Sequence, residues 1–334
     1  MTNLAENMRV MAIKPLSRGQ GELVAEQFPV PSPREHEVLI RIAYAGVNRA
    51  DILQRKGMYP PPEGASPIAG LEASGEVVAI GERVTEWKIG DAVCALLAGG
   101  GYAQYAVAHA QHCLPVPQGW SMKEAAAFPE AAFTIWMALG AEAALQSGES
   151  LLVHGGASGI GMTAIQYASA LGAMVYTTAS TPEKCAMAES WGATRAICYK
   201  SEDFVEVVMD ATKHKGVHVI LDFIGGDYVP RNLQCLATDG RMVSLAFLGG
   251  AKVESLHLAP LLQKRLTWKG TTLRARSDAQ KATYASAICQ HMWPFVLQNR
   301  LRPRVDCVFS LSEAQKAHEY MEQNLNIGKI VLQV

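Results

Sequence analysis

Residues 151–161 read LLVHGGASGIG, an apolar run that stops in glycines and continues as MTAIQYASALG, whose apolar residues have helical spacing. A buried strand that loses its side chains where a helix begins lets something come very close to the backbone. Gly156, Ser158, Gly159 and Gly161 occupy that turn. Glycine there permits a tight turn, and the N-terminus of the following helix offers N–H groups to a pyrophosphate. A lone glycine pattern is weak evidence. This one opens a series of six strand candidates: LLVHGG (151–156), MVYTTA (174–179), RAICYK (195–200), VHVILD (217–222), RMVSLA (241–246) and LTWKGTT (266–272). The segments between them carry helices, which is the pattern of a doubly wound dinucleotide-binding fold.

An NAD site places an acid about 20 residues after the glycines to bind the ribose diol. Here the chain reads TTASTPEK, with Ala179, Ser180 and Thr181 instead of an acid and Lys184 one turn later. Hydroxyls and a cation suit a 2′-phosphate, so the expected cofactor is NADPH, with Ser180 and Lys184 as contacts. Tyr199, at the end of the third strand, is a candidate to flank the adenosine. His154, beside the glycines, reads as a packed histidine rather than a base.

The 334 residues suffice for two domains, and 49% hydrophobic against 18% charged residues argues for large cores. From Met8 to about Trp120 the texture is β: EVLIRIAYAGV, GEVVAIG, DAVCALL and YAQYAVA, separated by glycine and proline turns. Residues 1–7 read as an irregular start, and the proline-rich KGMYPPPEGASP (56–67) as a stiff loop. AAAFPEAAFTIWMALGAEAAL reads as a helix joining domains; its Pro129, Glu130 and Glu142 speak against a membrane span. After 272 come a long helix over about 278–299, RVDCVFS, a second helix and a final strand KIVLQV, too short for a domain and expected to pack on the N-terminal part. A net charge of −1 argues against nucleic-acid binding, seven cysteines without a C-x-x-C pair read as buried thiols, and no secretory leader is evident. A cytoplasmic protein is expected.

Several stretches carry a family resemblance: VNRADILQRKGMYPPPEGAS (47–66), GLEASGEV (70–77), WKIGDAV (87–93), FPEAAFT (128–134), VHGGASGIG (153–161), LDFIGG (221–226) and NIGKIVL (326–332). Across nearly the whole chain the sequence resembles the zinc-independent, zeta-crystallin-like quinone oxidoreductases of the medium-chain dehydrogenase/reductase superfamily. The resemblance implies an α/β protein with a GroES-like β-rich catalytic domain (8–130 and 275–334) and a doubly wound Rossmann domain (131–274). It also implies a homodimer paired through the sixth Rossmann strand.

Zinc alcohol dehydrogenases carry a cysteine ligand where this chain has Asn48 and a His–Glu pair where it has Leu71–Glu72. Zinc needs three or four converging ligands, so no metal is expected. Quinones are electrophilic enough to accept hydride without one. The resemblance places Asn48 and Tyr59 at the pocket, as candidates to orient a quinone oxygen. It assigns Thr134 to the nicotinamide carboxamide, Phe247 to the nicotinamide wall and Lys329 to the cofactor. Arg274 and Arg276 in TTLRARS are left facing either the pocket or a dimer partner.

The expected activity is NADPH-dependent reduction of small or aromatic quinones. Reduction of activated alkenes such as enones is one alternative, and an NADPH-bound structural or RNA-binding protein is the other. The absence of basic–aromatic stripes counts against RNA.

Overall fold

A computed structural model describes residues 5–16 and 21–334. The chain forms two compact units: Met1–Phe133 with Arg274–Leu297 and Arg302–Val334, and Thr134–Leu273 with Gln298–Leu301. The irregular start expected for residues 1–7 lies partly outside the described residues, and a strand already begins at Asn7.

In the first unit, β1 (Asn7–Pro15) and β2 (Gly21–Pro29) form an antiparallel pair. The main sheet contains β3 (Glu37–Val47), β4 (Glu72–Ile80), β5 (Ala92–Leu96), β6 (Tyr105–His109) and β7 (Cys113–Pro115). β3 is its backbone. It pairs with β4 along one side, and over Glu37–Arg41 with β6 along the other. Val38, Ile40, Ile42, Val77, Val93 and Ala95 fill a core that small residues such as Ala45, Ala69 and Ala73 allow to close tightly.

The second unit is a six-stranded parallel sheet of β8 (Ser150–Val153), β9 (Met174–Ala179), β10 (Arg195–Cys198), β11 (Val217–Asp222), β12 (Leu236–Ser244) and β13 (Thr267–Gly270). The spatial order is β10-β9-β8-β11-β12-β13, that is 3-2-1-4-5-6, the doubly wound arrangement. Its central strands are apolar on both faces because helices cover both. β13 is an edge strand, and all four of its residues are exposed.

The chain then returns to the first unit. β14 (Val305–Ser310) runs parallel to β15 (Lys329–Gln333), and β15 pairs antiparallel with β3, Ile330 opposite Val47. The tail thus completes the first sheet, as its length and texture suggest.

Two helical readings need correction. The helix expected over 125–145 is broken: Met122–Ala125, then Pro129–Ile135, which runs into a π-helical segment, Trp136–Glu142. The helix expected over 278–299 spans Asp278–Leu297 but widens to a π-helical turn over Ile288–Met292. Apolar periodicity does not register the one-residue insertions that π turns represent.

Candidate active site

Three strand ends meet in the first unit. Asn48 follows β3 and caps the helix Arg49–Arg55, Glu72 opens β4, and Lys329 opens β15. The pairing of β15 and β4 with β3 sets all three side chains together, and the contacts are tight. Lys329 Nζ lies 2.5 Å from Glu72 Oε1 and 2.6 Å from Asn48 Oδ1, while Asn48 Nδ2 donates to Glu72 Oε1 at 2.9 Å. Glu72 Oε2 accepts the Glu130 backbone N–H at 3.0 Å. Glu72 is fully buried, and Lys329 and Asn48 nearly so. Gly46 makes room: a Cβ there would stand 2.1 Å from Glu72 Oε1. Burying such a pair costs several kcal/mol of lost hydration per ion, which only close and complete hydrogen bonding offsets.

Asn48 is therefore not a free amide. Its oxygen is held by Lys329 and one Nδ2 hydrogen by Glu72, leaving a single hydrogen to offer a ligand. Lys329, expected to reach a cofactor, has two of its three hydrogens committed inside the first unit. Glu72 was quoted in the sequence without a role, and nothing in its spacing connects it to a lysine 257 positions away.

Behind this group lies a second buried chain. Asp51 accepts N–H groups from Asn48 (2.8 Å) and Gly70 (3.1 Å), tying the segments that carry Asn48 and Glu72 to each other. Tyr102 Oη donates to Asp51 at 3.2 Å and accepts from His318 Nε2 at 2.9 Å, which leaves His318 Nδ1 as a buried lone pair without a partner. Burial raises the Asp51 carboxyl to about 6 and lowers the His318 imidazole to about 3. The signs oppose. Between about pH 4 and 6 folded Asp51 binds more proton than unfolded Asp51, so its contribution falls as pH rises. His318 binds less when folded, so its contribution grows from pH 3 to 6.5. His318→Gln keeps a donor for Tyr102 and removes the titration. Urea melts at pH 4, 5 and 6 should show the stability difference, variant minus wild type, shrinking with rising pH by about 1.4 kcal/mol per unit. A difference independent of pH would mean that His318 is protonated when folded.

The 56–67 loop carries Tyr59, whose phenol burial raises above its ordinary value and the neighbouring Arg274 charge lowers. Arg274, whose direction the sequence leaves open, is buried in the first unit. It donates to Tyr59 O at 3.1 Å, Gln54 Oε1 at 2.8 Å and Ala98 O at 2.8 Å, with its guanidinium 5.3 Å from the centre of the Tyr59 ring. Gln54 in turn donates to Pro67 O at 2.9 Å. One guanidinium therefore anchors the proline loop near both its ends.

In the second unit the glycine turn joins β8 to the helix Gly159–Leu171. Gly155 is left-handed (φ 66°), and a Cβ on Gly161 would lie 2.4 Å from Gly155 O. Gly156 N donates to Thr178 O at 2.9 Å, and Gly161 N to the capping Ser158 Oγ at 3.0 Å. Among the described residues the N–H groups of Gly159 and Ile160 meet no acceptor. They are two free donors at the positive end of a helix, which suits an anion. Past β9, Ser180 is half-buried and Thr181 caps the helix Pro182–Ser190, on whose first turn Lys184 sits. Tyr199 and Phe247 are 45% and 47% exposed, so neither is the core aromatic that their apolar surroundings would also permit. Phe247 lies over Gly225, and Thr134 is buried in the helix Pro129–Ile135.

The family models agree with this architecture. Residues 34–118 match the alcohol dehydrogenase GroES-like domain and 159–287 the zinc-binding dehydrogenase domain. In that order along one chain they define a medium-chain dehydrogenase/reductase. A quinone oxidoreductase of Pseudomonas aeruginosa is 33% identical over 305 residues, covering 90% of this chain and 92% of that protein. The Escherichia coli quinone oxidoreductase, solved as a complex with NADPH, is 31% identical and superposes with a TM-score of 0.84 over 98% of this chain and 100% of that one. The CurK enoyl reductase superposes equally well, with a TM-score of 0.84 at 26% identity over 98% of this chain and 99% of that one. The chain also matches a polyketide synthase subunit of Mycobacterium tuberculosis, 32% identical, of which it spans only 14%. The chain belongs to the quinone oxidoreductase family of the medium-chain dehydrogenases/reductases.

Zinc does not fit the residues present. The Lys329 ammonium fills the space between Asn48 and Glu72, and among the described residues no three His, Cys, Asp or Glu side chains could hold a metal ion. No helix among them is long and apolar enough to cross a membrane.

Proposed function

We propose that the protein is an NADPH-dependent, metal-independent oxidoreductase that reduces quinones. The observation that carries this reading is the turn at Gly155–Gly161, at the carboxyl end of the first strand in a 3-2-1-4-5-6 sheet, with two unpaired backbone donors and no acid at the end of β9. Gly159 and Ile160 bind the pyrophosphate, and Ser180 and Lys184 the 2′-phosphate. Thr134, Tyr199 and Phe247 hold the nicotinamide and adenosine ends. Bound NADPH supplies the hydride.

The first unit supplies what a quinone needs while it gains negative charge. A phenol keeps its proton at neutral pH, the more so where burial raises it, so Tyr59 donates to a quinone oxygen. Asn48 adds its one uncommitted hydrogen, in an orientation set by Lys329 and Glu72. Lys329 acts through Asn48, with its charge balanced by Glu72. Reduction of an activated alkene is a second reading, favoured by the likeness to the CurK enoyl reductase, and would use the same donors on a carbonyl oxygen. The exposed edge β13, with Trp268 upon it, supports pairing with a second copy as a homodimer.

The test is NADPH oxidation followed at 340 nm with 1,4-benzoquinone or a simple enone, repeated with NADH and with a chelator. Turnover that prefers NADPH, prefers the quinone and ignores the chelator supports the reading; loss of activity on chelation would sink it. Lys184→Ala should raise KM for NADPH at least tenfold more than for NADH, since a charge-assisted bond contributes about 1.5–3 kcal/mol. Equal effects on both would remove Lys184 from the 2′-phosphate.

A further inference from the structure

β8 runs directly into His154, a fully buried imidazole with a polar partner on each ring nitrogen. Nδ1 lies 3.1 Å from Thr178 Oγ1, and Nε2 lies 2.7 Å from Asn232 Oδ1. Gly155 N is 3.3 Å from the same Thr178 hydroxyl. The direction of every bond follows from what each group can do. Asn232 Oδ1 only accepts, so the ring hydrogen faces it from Nε2; with Nδ1 of the neutral ring left as an acceptor, Thr178 Oγ1 accepts from Gly155 and turns its own hydrogen towards His154 Nδ1. The Asn232 amide thus faces the ring with its oxygen, and its Nδ2 is left buried without an acceptor. Burial holds the imidazole below its ordinary pKa, consistent with a neutral ring. Phe204 and Tyr228 meet it edge to face, at 5.0 and 4.8 Å between centres, and keep it from rotating.

We propose that Thr178, His154 and Asn232 form a one-way hydrogen-bond relay that positions the glycine turn for the phosphates of the cofactor. They are positioning residues: none is assigned a contact with ligand, and they come from β9, the end of β8 and the helix Tyr228–Cys235. Thr178 binds Gly155 through its hydroxyl and Gly156 through its carbonyl. The first two amides of the turn are thereby drawn onto β9, and those of Gly159 and Ile160 remain for an anion. A fully buried polar chain in a core that could have been apolar costs stability, and it is accounted for if the turn needs a fixed geometry. The ligand in this proposal rests on the NADPH reading above.

The experiment compares wild type with Thr178→Val, which keeps the shape and loses the hydroxyl, and with Thr178→Ser, which restores it. NADPH affinity is read by fluorescence, kinetics at saturating quinone, and exchange of the Gly155 amide by NMR in the free protein. Thr178→Val should raise Kd and KM for NADPH about tenfold, leave kcat within twofold, and speed Gly155 exchange at least tenfold; Thr178→Ser should return all three. Unchanged affinity in a folded Thr178→Val protein overturns the proposal. If wild type binds no NADPH, the functional reading fails, and the relay is then decided by Gly155 exchange alone, unchanged exchange in Thr178→Val overturning it. Should Thr178→Val not fold, the 15N shifts of His154 in wild type decide: the Nε2–H tautomer supports the relay, and Nδ1–H overturns it.

Discussion

Lys329→Met should destabilise the protein by about 3–5 kcal/mol, because it leaves the carboxylate of Glu72 buried and without its cation. Glu72 is fully buried and Lys329 only 4% exposed, so water cannot take over the lost contact without opening the sheet between β3 and β15. The loss should be visible as a lower urea midpoint with little change in slope. A second substitution separates the charge from the packing. Glu72→Gln removes the stranded charge while keeping an acceptor for the Glu130 N–H, so the double variant should recover most of the stability. It should not recover quinone turnover, because Asn48 has lost the lysine that orients it. A single variant within 1 kcal/mol of wild type would mean that the Lys329–Glu72 pair contributes no net stability.

The second large effect is expected at Gly161. A methyl there would lie 2.4 Å from Gly155 O and 2.7 Å from Gly156 Cα, and both are backbone atoms that cannot swing aside as a side-chain tip could. Gly161→Ala must therefore push the turn off its seat. The strain should cost about 1–3 kcal/mol. Cofactor affinity should suffer more than stability, falling at least tenfold, if the free amides of the displaced segment receive the phosphates as proposed above. Isothermal titration with NADPH beside a thermal melt measures both. An alanine variant that binds NADPH like wild type would show that the turn adjusts, and that its glycines serve helix packing alone.

The second unit was legible because its strands are local objects. MVYTTA and VHVILD coincide with β9 and β11, and the glycine turn announces itself by composition. Strand β12 begins five residues before the expected RMVSLA, at Leu236, since TDG looks like a turn and Asp239 is indeed left-handed (φ 59°). The site in the first unit was harder. Asn48 and Tyr59 could be picked out only through a resemblance. Their partners Glu72, Lys329 and Arg274 come from distant parts of the chain, with no period or spacing to join them. The charge of Lys329 suggests a surface residue by any sequence rule, and only the pairing of β15 with β3 makes it a buried one.

That pairing also bears on how the chain is made. Val331 stands opposite Gly46, so the central sheet of the first unit lacks a strand until β15, far along the chain from β3, has been synthesised. The parallel sheet of 150–270 has all six of its strands without it and is available for folding earlier during synthesis. The nascent first unit, with the edge of β3 unpaired and Glu72 awaiting its lysine, is the stage at which a chaperone has most to protect.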